Sequence, residues 1–111
     1  MSFHGVLTTE APAVAGQVKA SLLVCTGADD PLAPADQVIA FEEEMRAAGV
    51  SDWQVISYGG TLHGFTNPAA DGSILPSAGY NERADRRSWA AMRSFLAETF
   101  GNAATSTPPI A

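Results

Sequence analysis

The chain of 111 residues has little positive charge: six Lys and Arg stand against twelve Asp and Glu, a formal net charge of -6. Without an excess of cations there is nothing to displace counterions from a phosphate backbone, so nucleic acid is not an expected partner. A single cysteine, Cys25, rules out an internal disulfide and agrees with a reducing compartment. No apolar run approaches the ~20 residues that a membrane-spanning helix needs. The start, Met1-Ser2-Phe3-His4-Gly5, lacks a basic stretch leading into an apolar one, so no secretory signal is read there. A cytoplasmic protein without membrane contact is the resulting expectation. A further absence concerns chemistry: neither Gly-x-Ser-x-Gly nor Gly-x-Cys-x-Gly, the sharp strand-to-helix turns that present a nucleophile, occurs anywhere in the sequence.

What is present describes one modest domain. Hydrophobic residues make up 46% and charged residues 16%, a globular balance, and a chain of this length buries roughly two thirds of the surface it exposes when unfolded. The run Ala20-Ser21-Leu22-Leu23-Val24-Cys25-Thr26 is apolar throughout and stops at a glycine, the pattern of a parallel strand covered on both faces. From Asp36, read as an N-cap, Val38, Phe41, Met45 and Ala48 recur at helical spacing, and Gly49 is placed to end the helix. Trp53 to Tyr58 is aromatic and β-branched and runs into Gly59-Gly60, so it reads as a second strand entering a tight turn. Asn81 caps a long helix whose inner side is predicted to carry Ala84, Ser88, Met92, Phe95 and Phe100, closed by Gly101. Ser2 to Leu7 reads as a further strand, and the small, polar tail 102–111 as disordered. Strands alternating with helices imply an α/β fold of about three parallel strands with flanking helices.

In such a sheet the loops that leave the C-terminal strand ends line one edge, where open α/β folds place their ligands. Asp30 and His63 each lie a few residues beyond a strand end, so neighbouring strands would bring them together. A carboxylate beside an imidazole fixes its tautomer and stabilises the imidazolium that forms when the other nitrogen takes a proton. Acid before base along the chain is the order of the α/β-hydrolases.

Three segments make the likeness specific: Gly27-Ala28-Asp29-Asp30-Pro31-Leu32-Ala33-Pro34, Tyr58-Gly59-Gly60-Thr61-Leu62-His63-Gly64-Phe65-Thr66-Asn67-Pro68, and Tyr80-Asn81-Glu82-Arg83-Ala84-Asp85. Together they resemble the C-terminal part of the dienelactone hydrolase family, over about Ser2 to Gly101. The resemblance implies that Asp30 corresponds to the triad acid and His63 to the base. It also implies a partial α/β-hydrolase fold whose nucleophile, a cysteine or serine on an earlier elbow, is not in this sequence. Asn67 stands where dienelactone hydrolase proper carries the arginine that holds the substrate carboxylate.

Other residues that could carry chemistry have simpler readings. Leu23-Val24-Cys25-Thr26-Gly27 lacks the first glycine of an elbow, and no helix follows at once to lower a thiol pKa, so Cys25 reads as a buried structural residue. Ser51 joins a helix to a strand, at the sheet edge away from His63, and reads as a turn residue. Asp29 and Asp30 precede Pro31, where an aspartate commonly builds a turn through its own backbone. His4, Asp29, Asp30 and His63 match no metal-ligand spacing, so neither a metal nor another cofactor is expected. Arg83, Arg86, Arg87 and Arg93 read as a solvated helix face paired with Glu82, Asp85 and Glu98.

Two expectations about function follow. In one, the chain supplies the acid and base for hydrolysis of a small ester or lactone and is inactive until a separate N-terminal half, or a segment upstream of this sequence, adds the nucleophile. In the other, it is a non-catalytic, self-associating or partner-binding product of a truncated hydrolase gene. Both share a physical consequence: the strand near Phe3 to Leu7 would lack a neighbour, and a homodimer pairing those edges would complete the sheet.

Overall fold

The computed structural model describes residues 1–101; the predicted disordered tail lies outside the described residues. Three strands and two helices follow one another in the order β1 (Ser2–Phe3), β2 (Leu22–Gly27), α1 (Ala35–Ala47), β3 (Trp53–Tyr58) and α2 (Glu82–Thr99). The strands form one sheet in the order β1-β2-β3, with both pairings parallel. This is the α/β arrangement that the alternation of elements implies.

The unbroken apolar run of β2 reflects its central place, because each sheet face is covered. Leu23 and Cys25 point to one face and join Tyr58, Phe65, Ala84 and Phe95 in a core beneath α2. Leu22 points to the other and packs with Met45, Ala48, Val50, Phe41 and Trp53 beneath α1. Phe41 meets Trp53 edge-on at 6.4 Å, and the Arg46 guanidinium lies 5.5 Å from the centre of the Trp53 ring, on its solvent side.

Several boundaries differ from the sequence reading. Helix α1 starts one turn position earlier, with Pro34 as N-cap and no side-chain cap. Its fixed φ of -68° suits the entry to a helix, which moves Asp36 into the first turn, where its charge complements the helix dipole. Asn81 caps α2 as expected, its side chain accepting from Ala84 N at 3.0 Å. Ala84, Ser88 and Phe95 are buried along α2, but Phe100 is the C-cap and is 77% exposed, so the inner stripe ends before it. The strand expected over Ser2 to Leu7 is two residues long. His4 turns the chain out of extended geometry with φ 42°, the one non-glycine positive φ among the described residues.

The arginine pairing is also narrower than the composition of α2 suggests. Arg86 and Glu82 approach to 3.9 Å, both exposed, a contact of little energetic weight. Asp85 instead accepts a hydrogen bond from the Tyr80 hydroxyl at 2.7 Å. No described helix is long and apolar enough to cross a membrane.

Candidate active site

Because all three strands run the same way, their C-terminal ends share one edge, and the loops after β2 and β3 touch there. Ala28 N donates to Tyr58 O at 2.8 Å and Asp29 N to Thr61 O at 3.0 Å, which extends the β2–β3 ladder past the strands. The approach needs a glycine at the end of β2. A Cβ on Gly27 would run into the carbonyl of Thr61 and sit 2.8 Å from Leu62 O.

The Gly27–Ala33 turn then folds Asp30 inward. Asp30 N donates to Gly27 O at 3.1 Å and Ala33 N to Asp30 O at 3.2 Å, and the carboxylate is 1% exposed. Its two oxygens divide the work. Oδ1 accepts from Leu32 N at 2.8 Å, while Oδ2 lies 2.9 Å from His63 Nδ1. The turn expected of an aspartate before Pro31 and the contact with His63 are therefore made by the same side chain, and Asp29 is left exposed.

His63 is held from both sides of its own peptide. His63 N donates to Ser77 O at 3.1 Å and Gly79 N to His63 O at 3.0 Å. The fully buried Phe65 anchors the loop two residues on, against Tyr58 at 5.6 Å. The imidazole is 23% exposed, and with Nδ1 turned to Asp30 its Nε2 is the nitrogen left to exchange a proton with a bound molecule. A carboxylate on Nδ1 sets that tautomer and compensates the charge of a protonated ring.

Sequence reasoning placed Asp30 and His63 together, weighed His4 beside them only as a metal ligand, and did not single out Thr66. His4, at the end of β1, packs edge-on to His63 with ring centres 5.6 Å apart, and its Nε2 lies 3.0 Å from Thr66 Oγ1. The two-residue strand offers almost no periodicity from which this could be read. Burial, and after it the neighbouring His63, hold the His4 imidazole below its ordinary value of 6.5.

The remaining candidates lie elsewhere. Cys25 is fully buried in β2, with Sγ 4.0 Å from the Tyr58 hydroxyl, and burial pushes its thiol pKa up, the opposite of what activates a nucleophile. Ser51 is exposed before β3, at the far edge of the sheet. Asn67 is a turn residue: its Oδ1 accepts from Ala69 N at 3.0 Å and its own N donates to Gly64 O at 2.9 Å. No group of three metal-ligating side chains is assembled among the described residues.

Comparison with known proteins gives this geometry a lineage. The model of the dienelactone hydrolase family matches residues 1–100. The chain belongs to the dienelactone hydrolase family. An uncharacterized protein of Caenorhabditis elegans is 40% identical over 101 residues, a match that takes in 90% of this chain and 63% of that relative. Among solved structures, a dienelactone hydrolase-like promiscuous phosphotriesterase from metagenomic libraries is 41% identical with a TM-score of 0.71, covering 77% of this chain and 35% of the other. A chain called m3DLH is 40% identical with a TM-score of 0.78, covering 87% and 40%. The sequence thus spans well under half the length of these dienelactone hydrolase-like structures, and its sheet corresponds to part of theirs.

Proposed function

We propose that this chain carries the acid, Asp30, and the base, His63, of a Cys/Ser-His-Asp triad for hydrolysis of esters or lactones. The nucleophile comes from polypeptide outside this sequence. The observation that carries the reading is the 2.9 Å contact between a buried Asp30 Oδ2 and His63 Nδ1, with the imidazole still open to solvent. In the reaction, His63 Nε2 takes the proton of the attacking hydroxyl or thiol, and the Asp30 carboxylate stabilises the imidazolium. The same Nε2 then protonates the departing alkoxide. Phosphotriesters join esters and lactones as substrates to assay, because one of the similar structures is described as a promiscuous phosphotriesterase.

The test is hydrolysis of an activated ester by the isolated chain, by His63→Ala and by free imidazole at matched concentration. A rate no better than imidazole is expected. Turnover well above it, abolished by His63→Ala, would contradict the assignment of the nucleophile to another segment.

A second reading, self-association through the open sheet edge near Phe3 to Leu7, is favoured by one observation. Among the described residues strand β1 pairs with β2 alone, and Met1 and Val6 beside it are exposed. Sedimentation equilibrium checks it: a dimer is expected, and a monomer at high concentration would refute it.

A further inference from the structure

Each strand of the sheet delivers a side chain to the same edge, and the proposed triad accounts for only two of them. The third is His4. Its backbone continues the β1–β2 ladder, with His4 N donating to Cys25 O at 2.8 Å, and then turns sharply at φ 42°. For a residue with a Cβ that conformation is strained and persists where the surroundings fix it. Here they do so at three points. The ring meets Phe65 edge-on at 5.2 Å and His63 at 5.6 Å, and Nε2 reaches Thr66 Oγ1 at 3.0 Å.

The consequence is a tie between β1 and the loop that bears His63. Thr66 lies three residues beyond His63, with Phe65 between them fully buried. A ring wedged against His63 and bonded to Thr66 limits both the tilt of the His63 imidazole and the drift of its loop. Asp30 holds His63 from the β2 side through one nitrogen, and a single hydrogen bond leaves rotation about that bond free. Contact from a second direction removes it.

We propose that His4 is a positioning residue for His63: packed edge-on against its ring and bonded to Thr66, it fixes the plane in which His63 presents Nε2. This rests on His63 being the base, and it adds the residue that follows the two-residue strand to the site. A neutral His4 suits the part, since a cation there would repel the imidazolium that forms on His63; burial and His63 itself both disfavour its protonation.

The experiment is nitrogen-15 NMR of the imidazoles in the full chain, where two histidines give an assignable spectrum. In the parent chain His63 is expected as a single tautomer with its proton on Nδ1. His4→Asn tolerates the positive φ but removes the ring, and Thr66→Val keeps the shape but removes the hydroxyl. Both are expected to keep that tautomer but to shift and broaden the His63 ring resonances as the imidazole gains freedom to rotate about its Asp30 bond, with Thr66→Ser restoring the parent spectrum. Thr66→Val leaves the backbone turn and the core in place, so it remains informative if His4→Asn unfolds. Asp30→Asn serves as the reference. If Asp30→Asn alone alters the His63 ring resonances, while His4→Asn and Thr66→Val leave their shifts and widths unchanged, the positioning role is overturned and the acid–base pair stands. If Asp30→Asn has no effect, the pair itself is refuted.

Discussion

Residues 59–81, between β3 and α2, are bound mainly by their own backbone. His63 is bonded to Ser77 and Gly79, Tyr80 N donates to Ala70 O at 2.8 Å and Asn81 N to Phe65 O at 3.1 Å, all closed over a fully buried Phe65. Residues 4–21, between β1 and β2, are also irregular, yet they lean on side chains of α1. Leu7 N donates to Gln37 Oε1 at 3.2 Å and Ala13 N to Glu44 Oε2 at 2.8 Å, while Val6 and Val14 face solvent. The difference shows where rigidity has been placed. The loop that bears His63 is closed by its own backbone bonds around one buried aromatic, and the other is draped over a helix. Preorganised chemistry needs its groups held within a fraction of an ångström, and backbone bonds around a buried aromatic achieve that better than long side chains do.

The sharpest way to break the comparison is to remove the anchor of the stiff loop. Phe65→Ala is expected to cost about 3–5 kcal/mol in chemical denaturation, because it empties space shared with Tyr58, Leu23 and the His4 ring. Next comes Gly27→Ala, which forces the two site loops apart where the new methyl meets the Thr61 carbonyl. A loss of about 1–3 kcal/mol is expected, with weakening of the Asp30–His63 bond visible in the imidazole spectrum.

In the draped loop the effects are expected to be smaller. Glu44→Ala removes one charge-assisted bond to Ala13 N and should cost about 1 kcal/mol, read from the urea midpoint. Equality with Phe65→Ala would erase the distinction between the two stretches. At the bottom of the scale, Val14→Ser alters a side chain that mostly faces solvent and should stay within about 0.5 kcal/mol of the parent.

Acidity sharpens the comparison from another side. The folded His4 imidazole lies below its ordinary value of 6.5, so in the window just under pH 6.5 the unfolded chain binds the proton first. Stability is therefore full above pH 6.5 and declines as pH falls through the lowered folded value. Denaturation midpoints across that window should flatten in His4→Asn, and an unchanged slope would show that His4, which faces His63 and the Asp30 charge, is not the group responsible. Deeper in the core, burial and then Cys25 push the Tyr58 hydroxyl up to about 12, consistent with its place between β3 and Phe65.

How much of this the sequence makes legible follows the same division. Strand β2 is readable because a central parallel strand is apolar on both faces, and the start of α2 because Asn81 offers a side-chain oxygen where the first helical amides need one. Asp30 and His63 are readable because each follows a strand end by a short, glycine-marked turn. His4 is not, since a two-residue strand has no period and a positive φ at a non-glycine residue leaves no mark in composition. Phe100 misleads in the opposite direction: it continues the apolar spacing of α2 past the point where the sheet beneath the helix ends. Pro34 takes the N-cap from Asp36 because its ring already holds the φ of a helix entry, which outweighs the hydrogen bond an aspartate could offer.

The central claim, that Asp30 and His63 are a working acid and base awaiting a nucleophile, is tested most directly by reconstitution. The chain would be mixed with a nucleophile-bearing N-terminal segment of a dienelactone hydrolase relative, and ester hydrolysis followed for the parent, Asp30→Asn and His63→Ala. The account predicts that the mixture hydrolyses the ester where neither part does, with His63→Ala abolishing the gain and Asp30→Asn reducing it by orders of magnitude, ~10⁴-fold where a triad aspartate sets the tautomer. Reconstituted hydrolysis that is indifferent to His63→Ala would contradict it.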